Sequence, residues 1–258
     1  ILNLIGILLA IFSFAFIPPL IVTFIYEEPL SEIFLYSFLF LISLGGLMWF
    51  ISRQKGLPLN ISDGFIITTM FWVVLACAGS IPFYFFGLSL NDAIFESVSG
   101  ITTTGATLIV GLDDLPKSLL LYRQLLQWIG GMGLIILAVA VMPALGIGGS
   151  QLYKMELPGS HGNQKLTPKI TDSAKALWKI YFGLTLACAL LYILSGMDLF
   201  DAIAHSLSTV AGGGFSTHDK SIGFFDSGLI EAVCIIFMLL SAASFAVHYA
   251  AIFGGKPL

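Results

Sequence analysis

The chain has 258 residues, of which 57% are hydrophobic and only 10% charged; its net charge is −4 and its mean hydropathy +0.97. Soluble domains carry about 25% charged residues, so this composition excludes an ordinary water-soluble domain and indicates a chain built for lipid. Cys77, Cys188 and Cys234 fall inside apolar runs at neither metal-ligand nor CxxC spacing, and they read as buried filler.

A crossing helix needs roughly 20 mainly apolar residues. In chain order the candidates are 1–26, 33–51, 64–86, 119–142, 177–195 and 227–253. The first has no basic flank and is too long for a signal-peptide core of about 7–15 residues. It therefore reads as a crossing helix, broken or kinked at Pro18 and Pro19. The chain does not begin with Met, and it is expected to start inside a longer sequence.

Six crossings leave loops alternating between two sides. One side takes the termini and the stretches 52–63 and 143–179, with Arg53, Lys55, Lys154, Lys165, Lys169, Lys175, Lys179 and Lys256 against Asp63, Glu156 and Asp172. The other side holds three basic residues against twelve acidic ones. The positive-inside rule puts the basic side in the cytoplasm. The acidic outer side serves either to keep the loops wet or to concentrate cations at a mouth, and charge alone does not separate these.

An internal repeat separates them. Residues 92–107 read DAIFESVSGITTTGAT and residues 201–216 read DAIAHSLSTVAGGGFS. At a constant offset of 109 the matched pairs include Ser97 with Ser206, Ser99 with Ser208 and Gly105 with Gly214. Each segment lies between two crossings and starts on the outer side. The following helix starts there too, so the segment must dip into the membrane and return. Helices over 92–101 and 201–210 would be about 15 Å long, half the hydrocarbon core. Asp92 and Asp201 are the expected N-caps. Non-helical backbone at that depth survives only when it is buried in protein or lines a wet cavity.

The stretch Thr102, Thr103, Thr104, Gly105 thus reads as backbone whose carbonyls replace water around an ion. Gly105 tolerates a positive φ. A half-helix ending with its negative dipole end at the membrane centre suits a cation. Ala211, Gly212, Gly213 and Gly214 are the matching stretch in the second repeat. Both repeats share one orientation, which implies an axis along the membrane normal, as in pores. A carbonyl ring around one ion needs about four contributors, and this chain has two.

At TTTGAT (102–107), QWIGGMGLIILAVAVMP (127–143), KLTPKI (165–170) and TVAGGGFSTHDKS (209–221) the sequence resembles the Trk/Ktr/HKT superfamily of potassium transporters, and within it the TrkH-type bacterial membrane subunit. The resemblance covers essentially the whole chain. It implies an all-α membrane protein with potassium-channel-like helix-pore-helix repeats: an N-terminal extra helix pair at 1–58, a first repeat at 59–150 and a second at 151–258. It implies uptake of potassium, with rubidium as a surrogate, across the bacterial inner membrane, with the acidic side periplasmic. It also implies a homodimer regulated by a cytosolic nucleotide-binding ring of the TrkA type. Potassium would sit at the carbonyls of Thr102, Thr103, Thr104, Gly105, Ala211, Gly212, Gly213 and Gly214. No enzymatic activity, cofactor or nucleic-acid partner is expected. The family's third and fourth filters and its gating loop have no counterpart before Leu258, so the chain is expected to be half of a transporter.

Glycines 130, 131 and 133, like GIGGS at 146–150, lack the strand and downstream residues of a nucleotide site; the first three read as close helix packing. His205, matched to Glu96, reads as a packing histidine, and His161 and His218 read as loop residues. His248 is a pore-side group or an interhelical hydrogen-bonding residue. Arg123 is expected to pair with Glu96, Asp113 or Asp114. Residues 150–173 read as a cytoplasmic loop whose basic residues suit anionic lipid or the regulatory ring. Two other functions fit the sequence less well. A secondary transporter with broken helices as binding ends would need ionisable residues deep in the crossings, and few are present. An intramembrane enzyme using Ser99 or Ser208 with a histidine fits poorly, since Ser99 has no repeat-matched histidine.

Overall fold

A computed structural model describes residues 2–52, 61–145 and 170–243, with backbone alone over 61–65, 134–145 and 170–176. GIGGS, most of the loop 150–173, both domain boundaries, His161 and His248 lie outside these residues. Among the described residues the chain is helical, with no strand.

The first apolar run forms α1 (Leu2–Ser13) and α2 (Ile17–Ile25), joined by a tighter 3-10 turn at Phe14–Phe16. Pro18 and Pro19 are the second and third residues of α2. They have no N–H to give the carbonyls one turn earlier, so the break falls just ahead of them. Next, α3 (Ser31–Ile51) runs back beside α1. A methyl at Gly6 would lie 2.8 Å from the Gly45 carbonyl, so small residues bring these backbones together.

The first repeat comprises α4 (Ile61–Gly79), α5 (Ile81–Phe86), the short α6 (Leu90–Ile101) and the long α7 (Lys117–Leu145). The second comprises α8 (Ile170–Leu194), the short α9 (Leu199–Ala211) and α10 (Gly228–Ala242). Among the described residues, four stretches are long and apolar enough to cross a membrane: Leu2–Ile25, Ser31–Ile51, Ile66–Phe86 and Leu177–Leu194. Over the predicted fourth crossing α7 is one continuous helix, but it carries Arg123, Gln124 and Gln127. Of the predicted sixth crossing, 227–253, the described part is the 15-residue α10, which ends at Ala242. Exposed Phe182, Leu186, Leu190 and Leu194 line one face of α8, as on a lipid-facing helix. Of the cysteines only Cys188 is buried; Cys77 is exposed and Cys234 half-buried, so "buried filler" holds for one of the three.

The core between the N-terminal pair and the first repeat centres on buried Tyr122 of α7. Its ring lies 5.6 Å from Phe16, 5.7 Å from Phe34 and 5.2 Å from Phe83, and its hydroxyl donates to the Gly79 carbonyl at 2.7 Å. The start of α7 is anchored from outside the repeat. Glu28, between α2 and α3, accepts from the Lys117 N–H at 2.6 Å and the Ser118 N–H at 3.1 Å. It acts as a charged cap on that helix N-terminus. Glu28→Ala is expected to lower stability by about 1 kcal/mol, read as a lower melting temperature in detergent.

Candidate functional site

Each short helix starts from a matched cap, though not the one expected from sequence. Ser89 caps α6 by accepting from the Asp92 N–H at 3.2 Å, and Asp198 caps α9 by accepting from the Phe200 N–H at 3.1 Å. Asp92 and Asp201 therefore sit in the first turn rather than at its edge. Ser89 and Asp198 are themselves separated by the repeat offset of 109. Their types differ, and the match is invisible unless the alignment is extended upstream. The helices span 12 and 13 residues, about 18–20 Å.

The residues after each helix adopt the same backbone. Thr103 has φ +54° and its partner Gly212 +66°; Gly105 has +78° and its partner Gly214 +84°. The Thr104 N–H donates to the Ser99 carbonyl at 2.9 Å, and the matched Gly213 N–H donates to the Ser208 carbonyl at 3.0 Å. Ser99 also donates its hydroxyl to the Ala106 carbonyl at 2.6 Å. Thr103 carries a side chain in the left-handed region where the second repeat has glycine, a strained choice fixed by the bonds around it. Thr102 caps the end of α6, and its hydroxyl donates to the Val98 carbonyl at 2.7 Å and contacts that of Thr104 at 2.7 Å. Ala211 is still the last residue of α9.

The two stretches meet. A methyl at Gly105 would lie 1.9 Å from the Gly213 carbonyl oxygen. Among the described residues, no hydrogen bond is donated to the carbonyls of 102–105 or 212–214.

Behind them stands α7, which packs against both α6 and α9. Gly130 permits this, since a methyl there would lie 1.9 Å from the Ile101 carbonyl oxygen. Glu96 is fully buried and accepts from the Thr107 hydroxyl at 2.5 Å, from the Leu108 N–H at 2.6 Å and more weakly from the Ile109 N–H at 3.4 Å. Of the three acids expected to pair with Arg123, Glu96 does so at 3.5 Å, and Arg123 also donates to the Thr107 hydroxyl at 2.9 Å. In the second repeat His205 takes the place of Glu96. It donates from Nδ1 to the Asp201 carbonyl at 2.9 Å and accepts at Nε2 from Ser216, the residue matched to Thr107, at 2.9 Å.

His218, expected only as a loop residue, joins the repeats on the acidic side. Its Nδ1 contacts Asp113 at 2.5 Å and its Nε2 contacts Asp201 at 3.1 Å, while the ring stacks 3.5 Å from Phe224. Asp219 beside it accepts from the Gly111 and Leu112 N–H groups at 3.1 Å. The His218 hydrogen bond, and then the Asp219 N–H, hold the Asp113 carboxyl below its ordinary value of 3.8. A carboxylate with a lowered folded pKa contributes above its unfolded pKa and loses that contribution as pH falls through the folded value. This outer tie therefore persists through mildly acid conditions.

Among the described residues the chain is all-helical, with the long apolar helices of a multi-pass membrane protein and two short helices that each end in a left-handed stretch against a common helix. The family model "TrkH: Cation transport protein" matches residues 30–255, and the chain belongs to the TrkH family. It is 50% identical over 258 residues to the Trk system potassium uptake protein TrkH of Vibrio parahaemolyticus, covering 99% of this chain and 53% of that protein. It is 47% identical over 255 residues to TrkH of Escherichia coli K12, covering 98% of this chain and 53% of that one. The crystal structure of the potassium transporter TrkH from Vibrio parahaemolyticus superposes with a TM-score of 0.84 at 48% identity, over 99% of this chain and 52% of the other. The chain spans about half the length of the relatives it matches.

Proposed function

We propose that the chain takes up potassium, and rubidium as its surrogate, across the bacterial inner membrane, supplying two of four segments of a carbonyl-lined filter. The filter residues are Thr102, Thr103, Thr104 and Gly105 with Ala211, Gly212, Gly213 and Gly214. Residues 1–58, 59–150 and 151–258 form an extra helix pair and two helix-pore-helix repeats. Six crossings carry two re-entrant loops, with the acidic side periplasmic. The working assembly is a homodimer with a cytosolic nucleotide-binding ring of the TrkA type.

One observation carries this reading: two stretches related by the repeat share the left-handed pattern at 103/212 and 105/214 and lie in contact, and among the described residues no hydrogen bond is donated to the carbonyls of 102–105 or 212–214. Such oxygens can replace the water around a cation. A secondary transporter with broken helices as binding ends is less well supported, because Glu96 and Arg123, a buried ionisable pair, are engaged in holding the loop.

Rubidium uptake into proteoliposomes, with potassium and sodium as competitors, tests the reading. Uptake blocked by potassium is expected from the chain continued through its native gene and not from the 258 residues alone. Blockable uptake by both would mean that this half assembles a pore from several copies. Uptake by neither, from folded protein with the regulatory ring supplied, would sink the conduction reading.

A further inference from the structure

The two filter segments are held in different ways. The first is held by its own short helix through the Glu96 carboxylate and its three donors. In the second, the side chains of the short helix reach only side chains of the segment: His205 the Ser216 hydroxyl, and Asp201 the Thr217 hydroxyl at 2.8 Å. The backbone there is gripped instead from the first repeat, by α7. The Gln127 side-chain carbonyl accepts from the Phe215 N–H at 3.1 Å. Its amide lies so close behind Gly213 that a methyl there would fall 2.3 Å from the amide carbon. One helical turn away on the same face, Arg123 donates to the Ser216 carbonyl at 3.3 Å and lies 4.4 Å from the centre of the Phe215 ring. Both residues are fully buried.

No equivalent grip is available from α10. At the repeat offset, Arg123 corresponds to Ala232 and Gln127 to Ile236, neither of which can donate or accept through its side chain. The clamp is thus specific to the contact between the two repeats, and it acts on the residues that directly follow Gly214.

We propose that Gln127 and Arg123 are positioning residues for the second filter segment. They fix the backbone at Phe215 and Ser216 and thereby set the discrimination between potassium and sodium. This rests on the filter reading above. Selectivity by carbonyl oxygens depends on their number and placement. A segment that loses its outer attachment recoils and accommodates either ion.

The test is competition of potassium and sodium against rubidium uptake by the full-length transporter with its regulatory ring. Selectivity is a ratio read on whatever protein reaches the membrane, so lower yield alone does not move it. Gln127→Leu leaves the buried Phe215 N–H without an acceptor and is expected to lower the potassium-over-sodium preference about tenfold. Should that variant fail to accumulate, Gln127→Met, of similar length and also without a strong acceptor, tests the same bond. Arg123→Lys keeps a charge opposite Glu96 but loses the fork that reaches Thr107 and Ser216 together, and it is expected to shift selectivity in the same direction. Gln124 is the control: it is equally buried on the same helix, and both its amide atoms lack a hydrogen-bond partner among the described residues, so Gln124→Leu should leave selectivity unchanged.

Gly105→Ser separates the two readings. If Gly105→Ser loses discrimination and the Gln127 and Arg123 variants do not, the clamp is wrong and the filter stands. If Gly105→Ser keeps discrimination, the filter reading fails and the clamp with it. If Gln124→Leu matches Gln127→Leu, the effect is general to packing of α7, and the positioning role is overturned.

Discussion

Gly105→Ser is expected to reduce potassium-selective uptake by the full-length transporter by about one to two orders of magnitude, the larger of the two glycine effects. Two costs combine. At φ +78° any side chain is strained, by about 1–3 kcal/mol. The added Cβ would also fall 1.9 Å from the Gly213 carbonyl oxygen, which is backbone and cannot swing aside. The second segment must therefore move as well as the first. Gly214→Ser shares the first cost, with φ +84°, but its Cβ would meet nothing within 4 Å. It should act mainly through strain and be milder. Equal effects in the rubidium competition assay would show that the contact between Gly105 and Gly213 does not matter for conduction.

The second large effect is expected at Glu96 and Arg123. Both side chains are fully buried and 3.5 Å apart. Removing one partner of a buried pair strands the other charge and costs about 3–5 kcal/mol. Glu96→Gln keeps acceptor capacity for Thr107 and Leu108 but leaves Arg123 unpaired. Arg123→Gln leaves Glu96 unpaired and also removes the donor to Ser216. The double variant strands no charge, so its loss should fall short of the sum of the singles by about 1–3 kcal/mol. It should not return to the parent value, because the contacts of Arg123 with Phe215 and Ser216 are still missing. Unfolding in detergent reads this cycle. Additive losses would mean that the charges do not interact and that each is held independently.

Much of the architecture is legible in the sequence for one physical reason. Membrane helices need long apolar runs, and repeated function leaves repeated residues. The apolar runs located the long helices, and the constant offset located both short helices and the left-handed pairs at 105 and 214. The sequence narrowed the partner of Arg123 to Glu96, Asp113 or Asp114, because a buried guanidinium requires an acid, and packing chose Glu96. The break between α1 and α2 followed from Pro18 and Pro19, displaced by a few residues because the prolines deprive the turn before them. The caps were misplaced because Asp at the first turn and Asp at the cap are equally favourable near a helix N-terminus, and composition does not rank them.

What the tertiary structure alone decided is how the repeats meet. The positive φ at Thr103 has no signal in a TTTG run and emerges only beside Gly212. His218 became a bridge between Asp113 and Asp201 because the chain returns across more than a hundred residues to place them together. Gln127 opens the run QWIGGMG, but nothing in that run marks its role, and its bond to Phe215 exists only because α7 passes behind both segments. The sequence by itself determined that this is a helical membrane chain with two copies of one glycine-bearing loop. Three-dimensional packing decided which copy supports the other, because buried backbone N–H groups must find acceptors wherever the fold brings them.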